Sequence, residues 1–125
     1  MDEDAVSRRV IGPAIEVHRA LGPGMLESVY QKCLGRELAL QGLDCREEVP
    51  LAVHYKGLDF EAPFRLDLLV EDKVIVELKA VERILPVHEA QLLSYLRLAG
   101  LKLGLLVNFN VPVMKSGIRR IVNNL

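Results

Sequence analysis

The sequence predicts an α/β fold in which helices flank a mixed central sheet. Two segments with helical spacing come first, and they precede three or four strand-like segments rich in β-branched residues. A third helical segment then leads to residues 103–109, which are apolar on both faces, as in a strand buried between helices. Elements in this order form one sheet covered by helices.

Composition indicates a single domain spanning residues 1–125. Half of these residues are hydrophobic, and a chain of this length buries roughly 65% of the surface that its unfolded form exposes. Disordered chains, collagen-like fibres and disulfide scaffolds are therefore excluded. The two cysteines, Cys33 and Cys45, lack the spacing of a redox or zinc motif, and the histidines are scattered.

The charge balance argues against a protein that attracts polyanions over its whole surface. Sixteen Lys and Arg residues face 17 Asp and Glu residues, which gives a formal net charge of -1. Three of the first four residues are acidic where a secretory signal is basic, and no apolar run approaches the roughly 20 residues of a membrane span. We expect a cytoplasmic protein that has no membrane partner and holds any polyanion locally.

Two helices are predicted at the N-terminus. Residues 5–21 carry apolar side chains spaced by four, four, three and four, which predicts a helix that packs on the core. Residues 22–24, Gly-Pro-Gly, end it. A second helix is predicted at about residues 25–41, with Gly42 at the position of a left-handed C-terminal cap.

The middle of the chain predicts a meander of strands. Residues 45–55 and 60–70 have strand character, and Pro50 and Pro63 mark edges or bends in them. Residues 65–79 predict a hairpin with a polar three-residue turn.

The remaining elements follow this hairpin. They are a helix at residues 87–99, capped by Gly100, and strands at 103–109 and 117–122.

The hairpin brings two acids together on one face. If the turn holds residues 71–73, Asp67 lies directly opposite Glu77, and their Cβ atoms are about 5 Å apart. Because strand side chains alternate, Lys79 shares the face of Glu77. A two-residue turn would instead pair Asp67 with Leu78 and destroy the arrangement.

Paired carboxylates favour a divalent cation, because like charges opposite each other are destabilising. Hard oxygen ligands without Cys or His clusters favour magnesium or manganese. Lys79 would then orient the attacking water or stabilise charge that develops on a phosphate. The same three residues also fit a solvated hairpin face with alternating charges.

Two helical positions add candidates. On the second helix, Glu27 lies within about 20° of Leu34 and Leu38, so this acid shares a row with predicted core positions. Tyr30, one turn further on, is expected to pack in the core with its hydroxyl at the edge.

On the third helix, Gln91 and Tyr95 are spaced i, i+4 and therefore share a face. They either reach from the helix to the sheet or form an amphipathic rim over the core.

These motifs together resemble the PD-(D/E)XK nuclease superfamily. The resemblance consists of Asp67, nine intervening residues, Glu77-Leu78-Lys79, and then a helix that carries Gln91-x-x-x-Tyr95. The last element resembles the motif of the RecB-like exonuclease branch. In addition, residues 24–30, Gly-Met-Leu-Glu-Ser-Val-Tyr, resemble the signature of the GxxExxY protein family. The likeness extends over about residues 18–122.

The resemblance implies a restriction-endonuclease-like αβββαβ core with a metal site. Asp67 and Glu77 would be metal ligands, Glu27 an additional acid, and the carbonyl of Leu78 a further ligand. Lys79 would be the catalytic lysine. The same resemblance gives Gln91 and Tyr95 the positioning of the substrate phosphate or of the water on the metal.

The function predicted on this basis is a nuclease that uses magnesium or manganese to hydrolyse phosphodiester bonds of DNA or RNA. The alternative is a binding module for nucleic acid or protein that keeps the fold, with or without the metal, but lacks turnover. The small size and nearly neutral charge are also compatible with a homodimer.

Overall fold

The computed structural model describes all 125 residues. It contains three α-helices, five strands and one 3₁₀ helix. The helices are α1 (Glu3–Leu21), α2 (Glu27–Leu40) and α3 (Pro86–Ala99), and the 3₁₀ helix is Met114–Gly117. The strands are β1 (Cys45–Tyr55), β2 (Leu58–Val70), β3 (Val74–Lys79), β4 (Leu103–Asn108) and β5 (Ile118–Val122).

The five strands form one mixed sheet in the order β1-β2-β3-β4-β5. Neighbouring strands are antiparallel except for β3 and β4, which are parallel and are joined through α3. A parallel pair needs such a crossover, because a short turn cannot return the chain to the same end of the sheet. The mixed sheet with flanking helices confirms the predicted α/β fold.

Two hydrophobic cores lie on opposite faces of the sheet. The larger one joins α1 and α2 to the sheet, and α1 contributes the side chains of its apolar stripe, Val6, Val10, Ala14 and Val17. The smaller one joins α3 to the sheet through Leu92, Tyr95 and Leu96. A side chain on the α3 face therefore meets different neighbours from one on the α1 and α2 face.

The predicted element boundaries differ from the observed ones by at most two residues. Helix α1 begins at Glu3 because the Asp2 side chain accepts a hydrogen bond of 2.8 Å from the Ala5 N–H and caps the helix. Strand β2 begins at Leu58 because β1 and β2 are joined by a tight turn, with Tyr55 paired to Leu58. Both features depend on local geometry that hydrophobic periodicity does not report.

The β1–β2 pair contains an irregularity. Leu51 pairs with Phe64, whereas Val53 pairs with Phe60, so two steps along β1 correspond to four along β2. Ala62 lies inside this segment and has a positive φ of 44°. The expected bend near Pro63 is therefore present, and it shifts the register of the strands beyond it.

Tyr30 fixes the loop between α1 and α2. Its side chain is fully buried, and its ring stacks on Phe109 with centroids 4.3 Å apart. Its hydroxyl donates to the Gly22 carbonyl at 2.5 Å and accepts from the Met25 N–H at 3.0 Å. The expectation of a core tyrosine with its hydroxyl at the edge is confirmed.

Replacing Tyr30 with phenylalanine should lower the free energy of unfolding by about 1–2 kcal/mol, because the loop loses two hydrogen bonds while the ring stays in place. Urea denaturation measures the change. Tyr55→Phe is the matched control, since Tyr55 is exposed and its free energy of unfolding should hardly change. Equal values for the two variants would contradict the assigned role of the Tyr30 hydroxyl.

None of the helices combines the length and the apolar character that a membrane crossing requires.

Candidate active site

The β2–β3 hairpin has the register that the sequence predicts. Leu68 pairs with Val76, Leu69 with Ile75 and Val70 with Val74, so the turn holds residues 71–73. Glu71 and Asp72 in this turn both have positive φ. One step beyond the last pair, Asp67 of β2 comes to face Glu77 of β3.

Asp67 and Glu77 hold each other through backbone N–H groups. The backbone ladder ends at the Leu68–Val76 pair. Beyond it, the Asp67 N–H donates to Glu77 Oε2 at 2.8 Å, and the Leu78 N–H donates to Asp67 Oδ2 at 2.9 Å. Each carboxylate is thereby fixed through one oxygen, and no backbone N–H occupies the other oxygen of either group.

The pair is electrostatically disfavoured in the absence of a cation. Only 6% of Glu77 is exposed, and burial, with the nearby charge of Asp67, raises the pKa of Glu77 to about 8. Burial also raises the pKa of Asp67, against the lowering effect of the Leu78 N–H. The positive charge of Lys79 lowers both pKa values, which places its ammonium group near the two carboxylates.

The donor set fits a small divalent cation. Two adjacent carboxylates supply hard oxygen ligands, and magnesium binds through one or two carboxylates while it keeps several waters. A cation there would offset the repulsion that raises the pKa of Glu77. No three His, Cys, Asp or Glu side chains come together as a metal-binding group in this structure, so any third protein ligand is a backbone oxygen or a side chain that moves.

Helix α3 brings a phenol to the carboxylates. Tyr95 is buried on the α3 face, and burial together with the charges of Glu77 and Asp67 raises its pKa. Its ring contacts Phe64 of β2, with centroids 5.6 Å apart. Gln91, one turn towards the start of α3, is exposed and makes no hydrogen bond to the pair. Neither α3 candidate makes a hydrogen bond to the carboxylates, but the hydroxyl of Tyr95 lies near enough for their charges to act on it.

Leu34 and Leu38 are core residues as expected, but Glu27 on the same helical row is not buried with them. Glu27 is the first residue of α2, and its side chain is exposed. Burial on this row starts one turn later, at Tyr30, and continues at Leu34 and Leu38. The first turn of α2 extends past the core, so the Glu27 side chain has no core residues around it.

The start of α2 lies towards the end of the sheet that carries Lys79, although α2 packs on the face opposite to Asp67 and Glu77. Tyr30, one turn away, stacks on Phe109, whose N–H donates to the Lys79 carbonyl at 3.0 Å. The Leu78 side chain also belongs to the larger core on this opposite face, so only its backbone adjoins the carboxylates.

Sequence reasoning missed Glu48. Glu47 pairs with Leu68 and Val49 with Leu66, so Glu48 falls opposite Asp67, and its charge helps to raise the pKa of Asp67. Glu48 has a positive φ of 51°. Counted back from the Tyr55–Leu58 turn, the regular register would pair Asp67 with Arg46 instead. The strand prolines signal an irregularity, but not its length.

Asn108, at the end of β4, was also not predicted as a site residue. It is buried, and its Oδ1 accepts from the N–H groups of Val81 and Asn110 at 3.1 and 3.2 Å. Its Nδ2 donates to the Val81 carbonyl at 2.9 Å. Asn108 thus fixes the loop that leaves β3 directly after Lys79.

Stability should depend on pH through the carboxylate pair. The pKa of Glu77 is raised in the folded protein, so ionisation costs stability: stability is retained below about pH 4.5 and is lost as the pH rises towards 8. Without divalent metal, the melting temperature should fall by several degrees between pH 5 and pH 8. Scanning calorimetry measures this fall.

The charges that face Glu77 are those of Asp67 and Lys79. The Tyr95 hydroxyl faces it as a neutral group, because the pKa of Tyr95 is raised. In Glu77→Gln, which keeps the shape but cannot ionise, the fall should be much smaller. A fall as steep as that of the unmodified protein would contradict the assignment of this pH dependence to Glu77.

The carboxylates lie outside the three surface cavities. The cavity between α1 and α2, of about 330 Å³, is lined by residues such as Val17 and Cys33. A second, of about 390 Å³, lies between α1 and the segment before the 3₁₀ helix. The third is on the β1–β2 hairpin. The pair is therefore not set in an enclosed small-molecule pocket of the kind that binds cofactors.

Comparison with known families agrees with this geometry. A family model of the PD-(D/E)XK nuclease superfamily matches residues 4–121, which include all of the candidate site residues. No curated protein and no solved structure was found to match the chain. Because the match covers nearly the whole sequence, this chain belongs to the PD-(D/E)XK nuclease superfamily.

Proposed function

We propose that the protein is a nuclease that hydrolyses phosphodiester bonds of DNA or RNA with the help of magnesium or manganese. Members of the superfamily generally depend on a divalent metal and bind nucleic acid. The observation that carries the proposal is the reciprocal bracing of Asp67 and Glu77 beside Lys79. A buried acid pair can hold a metal that assists phosphodiester hydrolysis, and a neighbouring amine can stabilise the charge that develops on the phosphate.

Each residue has a proposed role. Asp67 and Glu77 would hold the cation through the oxygens that the backbone leaves free, with the Leu78 carbonyl as a further ligand. When bound, the cation would activate a water and offset the charge of the phosphate. Lys79 stabilises the negative charge that develops on the phosphate oxygens. Tyr95 positions the phosphate or the attacking water.

Roles are also proposed for two exposed residues, Gln91 and Glu27. Gln91 is exposed on α3, one turn before Tyr95, and is proposed to contact the substrate phosphate on the solvent side. Glu27 is proposed as the additional acid, since its helix starts towards the end of the sheet where Lys79 lies.

We also propose membership of the GxxExxY family within the superfamily. Two residues of the signature have structural roles, because Gly24 has a φ of +95° and Tyr30 binds the loop through its hydroxyl. The side chain of Glu27, the acid of the signature, is exposed and makes no hydrogen bond or ion pair. A role for Glu27 in the chemistry is consistent with this difference.

The test is a cleavage assay on single- and double-stranded DNA and RNA with magnesium or manganese. We expect cleavage by the unmodified protein and loss of at least about 99% of it in Asp67→Asn, which keeps the shape but removes a charge from the metal site. Lys102→Ala is the control, because Lys102 is exposed and its side chain makes no hydrogen bond or ion pair. Equal cleavage by all three proteins would show that the activity comes from elsewhere.

A binding module without turnover is the second candidate. It is favoured by the exposure of Glu27, which leaves two acids together instead of three. Calorimetric titration with manganese that shows an Asp67-dependent site, together with no cleavage of any nucleic acid, would support it. The cytoplasmic location and the homodimer stay predictions.

A further inference from the structure

The outer part of the β1–β2 hairpin carries an exposed apolar surface. Strand β3 pairs with β2 only at residues 68–70, so the rest of β2 has β1 as its sole neighbouring strand in the sheet. Val53, Phe60, Pro63 and Phe64 line a cleft of about 220 Å³ there, which we call the aromatic cleft. The two phenylalanines are 49% and 41% exposed, which is unusual for such large apolar side chains.

Tyr95 links the aromatic cleft to the carboxylate pair. Phe64 contacts the Tyr95 ring, and the charges of Asp67 and Glu77 act on the Tyr95 hydroxyl. Phe64 precedes Asp67 by three residues, which is about 10 Å along a strand. A polymer with its phosphate at Asp67 would therefore have its next few nucleotides over the aromatic cleft.

The net charge of the protein favours a single-stranded nucleic acid over a duplex. Tight binding of a duplex depends on neutralising many phosphates, and the net charge of -1 offers little for that. Binding of single strands relies to a larger extent on bases that stack on aromatic side chains. Phe60 and Phe64 present rings of this kind, whereas paired bases inside a duplex are already stacked and unavailable.

We propose that the aromatic cleft binds unpaired bases of a single-stranded nucleic acid whose scissile phosphate lies at Asp67 and Glu77. This inference rests on the proposed nuclease function and names its substrate class. The competing occupant of the aromatic cleft is a second copy of the chain. Contacts in such a dimer could be made by any apolar side chain of similar size, whereas stacking on bases needs an aromatic ring.

The test measures binding by fluorescence anisotropy, with a labelled single-stranded oligonucleotide and the matching duplex, in a Lys79→Ala background that prevents cleavage. Phe60→Leu and Phe64→Leu keep apolar bulk but remove the ring. Each should weaken single-strand binding roughly fivefold or more, since one stacked base contributes about 1–3 kcal/mol. Phe60→Leu is the cleaner variant, because Phe60 does not contact Tyr95. Leu40→Ala, at an exposed apolar position on α2, is the control.

Three results would overturn the inference. They are tighter binding of the duplex, unchanged binding by both leucine variants, and a dimer in sedimentation experiments that dissociates when Phe60 or Phe64 is replaced by alanine.

The proposed function is tested separately with bis(p-nitrophenyl) phosphate, which is too small to span from the carboxylates to the aromatic cleft. Lys79-dependent hydrolysis without ring-dependent binding would overturn the inference alone. Ring-dependent binding without any hydrolysis would support the cleft and overturn the nuclease function.

Discussion

Replacing Lys79 with alanine is expected to lower the rate of phosphodiester cleavage by at least about 100-fold, while the protein stays folded. The positive charge of Lys79 acts on both Asp67 and Glu77. The same charge would stabilise the negative oxygens of a phosphate in the transition state, and loss of one such group typically costs this much. Single-turnover kinetics with magnesium or manganese measure the rate, and circular dichroism confirms the fold.

Two further variants separate the charge of Lys79 from its shape. Lys79→Arg keeps the charge in a wider, planar group, so partial activity is expected. Lys102→Ala should cleave at the rate of the unmodified protein. If Lys79→Ala cleaved as fast as these controls, the assignment of Lys79 to the chemistry would be wrong.

Replacing Gly117 with alanine is expected to lower the free energy of unfolding by at least about 3 kcal/mol. A Cβ atom at Gly117 would lie 2.1 Å from the Asn108 carbonyl oxygen, far inside contact distance. Asn108 ends the buried strand β4 and is held by its bonds to Val81, so the backbone has little freedom to move. Equilibrium urea unfolding measures the loss, and recovery only as insoluble protein would agree with it.

Lys115→Ala, two residues earlier in the same 3₁₀ helix, is the matched control. Its side chain is exposed, so the free energy of unfolding should change by no more than about 0.5 kcal/mol. A Gly117→Ala protein as stable as this control would mean that the backbone at the end of β4 can move to make room for the added methyl group. The rigidity assigned to the loop after Lys79 would then be in error.

The part of the site that the sequence predicts is the part set by local rules. The Asp67–Glu77 pairing follows from the length of one turn, because a turn of residues 71–73 places Asp67 opposite Glu77, whereas a two-residue turn would pair Asp67 with Leu78. Tyr30 is similar, because helical spacing alone places it on the row of Leu34 and Leu38.

The residues that were missed or misplaced depend on contacts between distant segments. Glu48 meets Asp67 only because two extra residues of β2 shift the register near Pro63. Glu27 is exposed because the core ends one turn short of the start of α2. Gln91 shares a helix face with Tyr95, yet that face extends past the edge of the α3 core. Periodicity gives a direction around a helix, but not how far the neighbouring layer extends.

The most direct test is anomalous diffraction from a crystal of this protein soaked in manganese. The paired carboxylates of Asp67 and Glu77 should bind the ion, so a strong anomalous peak is expected beside both of them. A peak at some other cluster of acids, with none at this pair, would contradict the account.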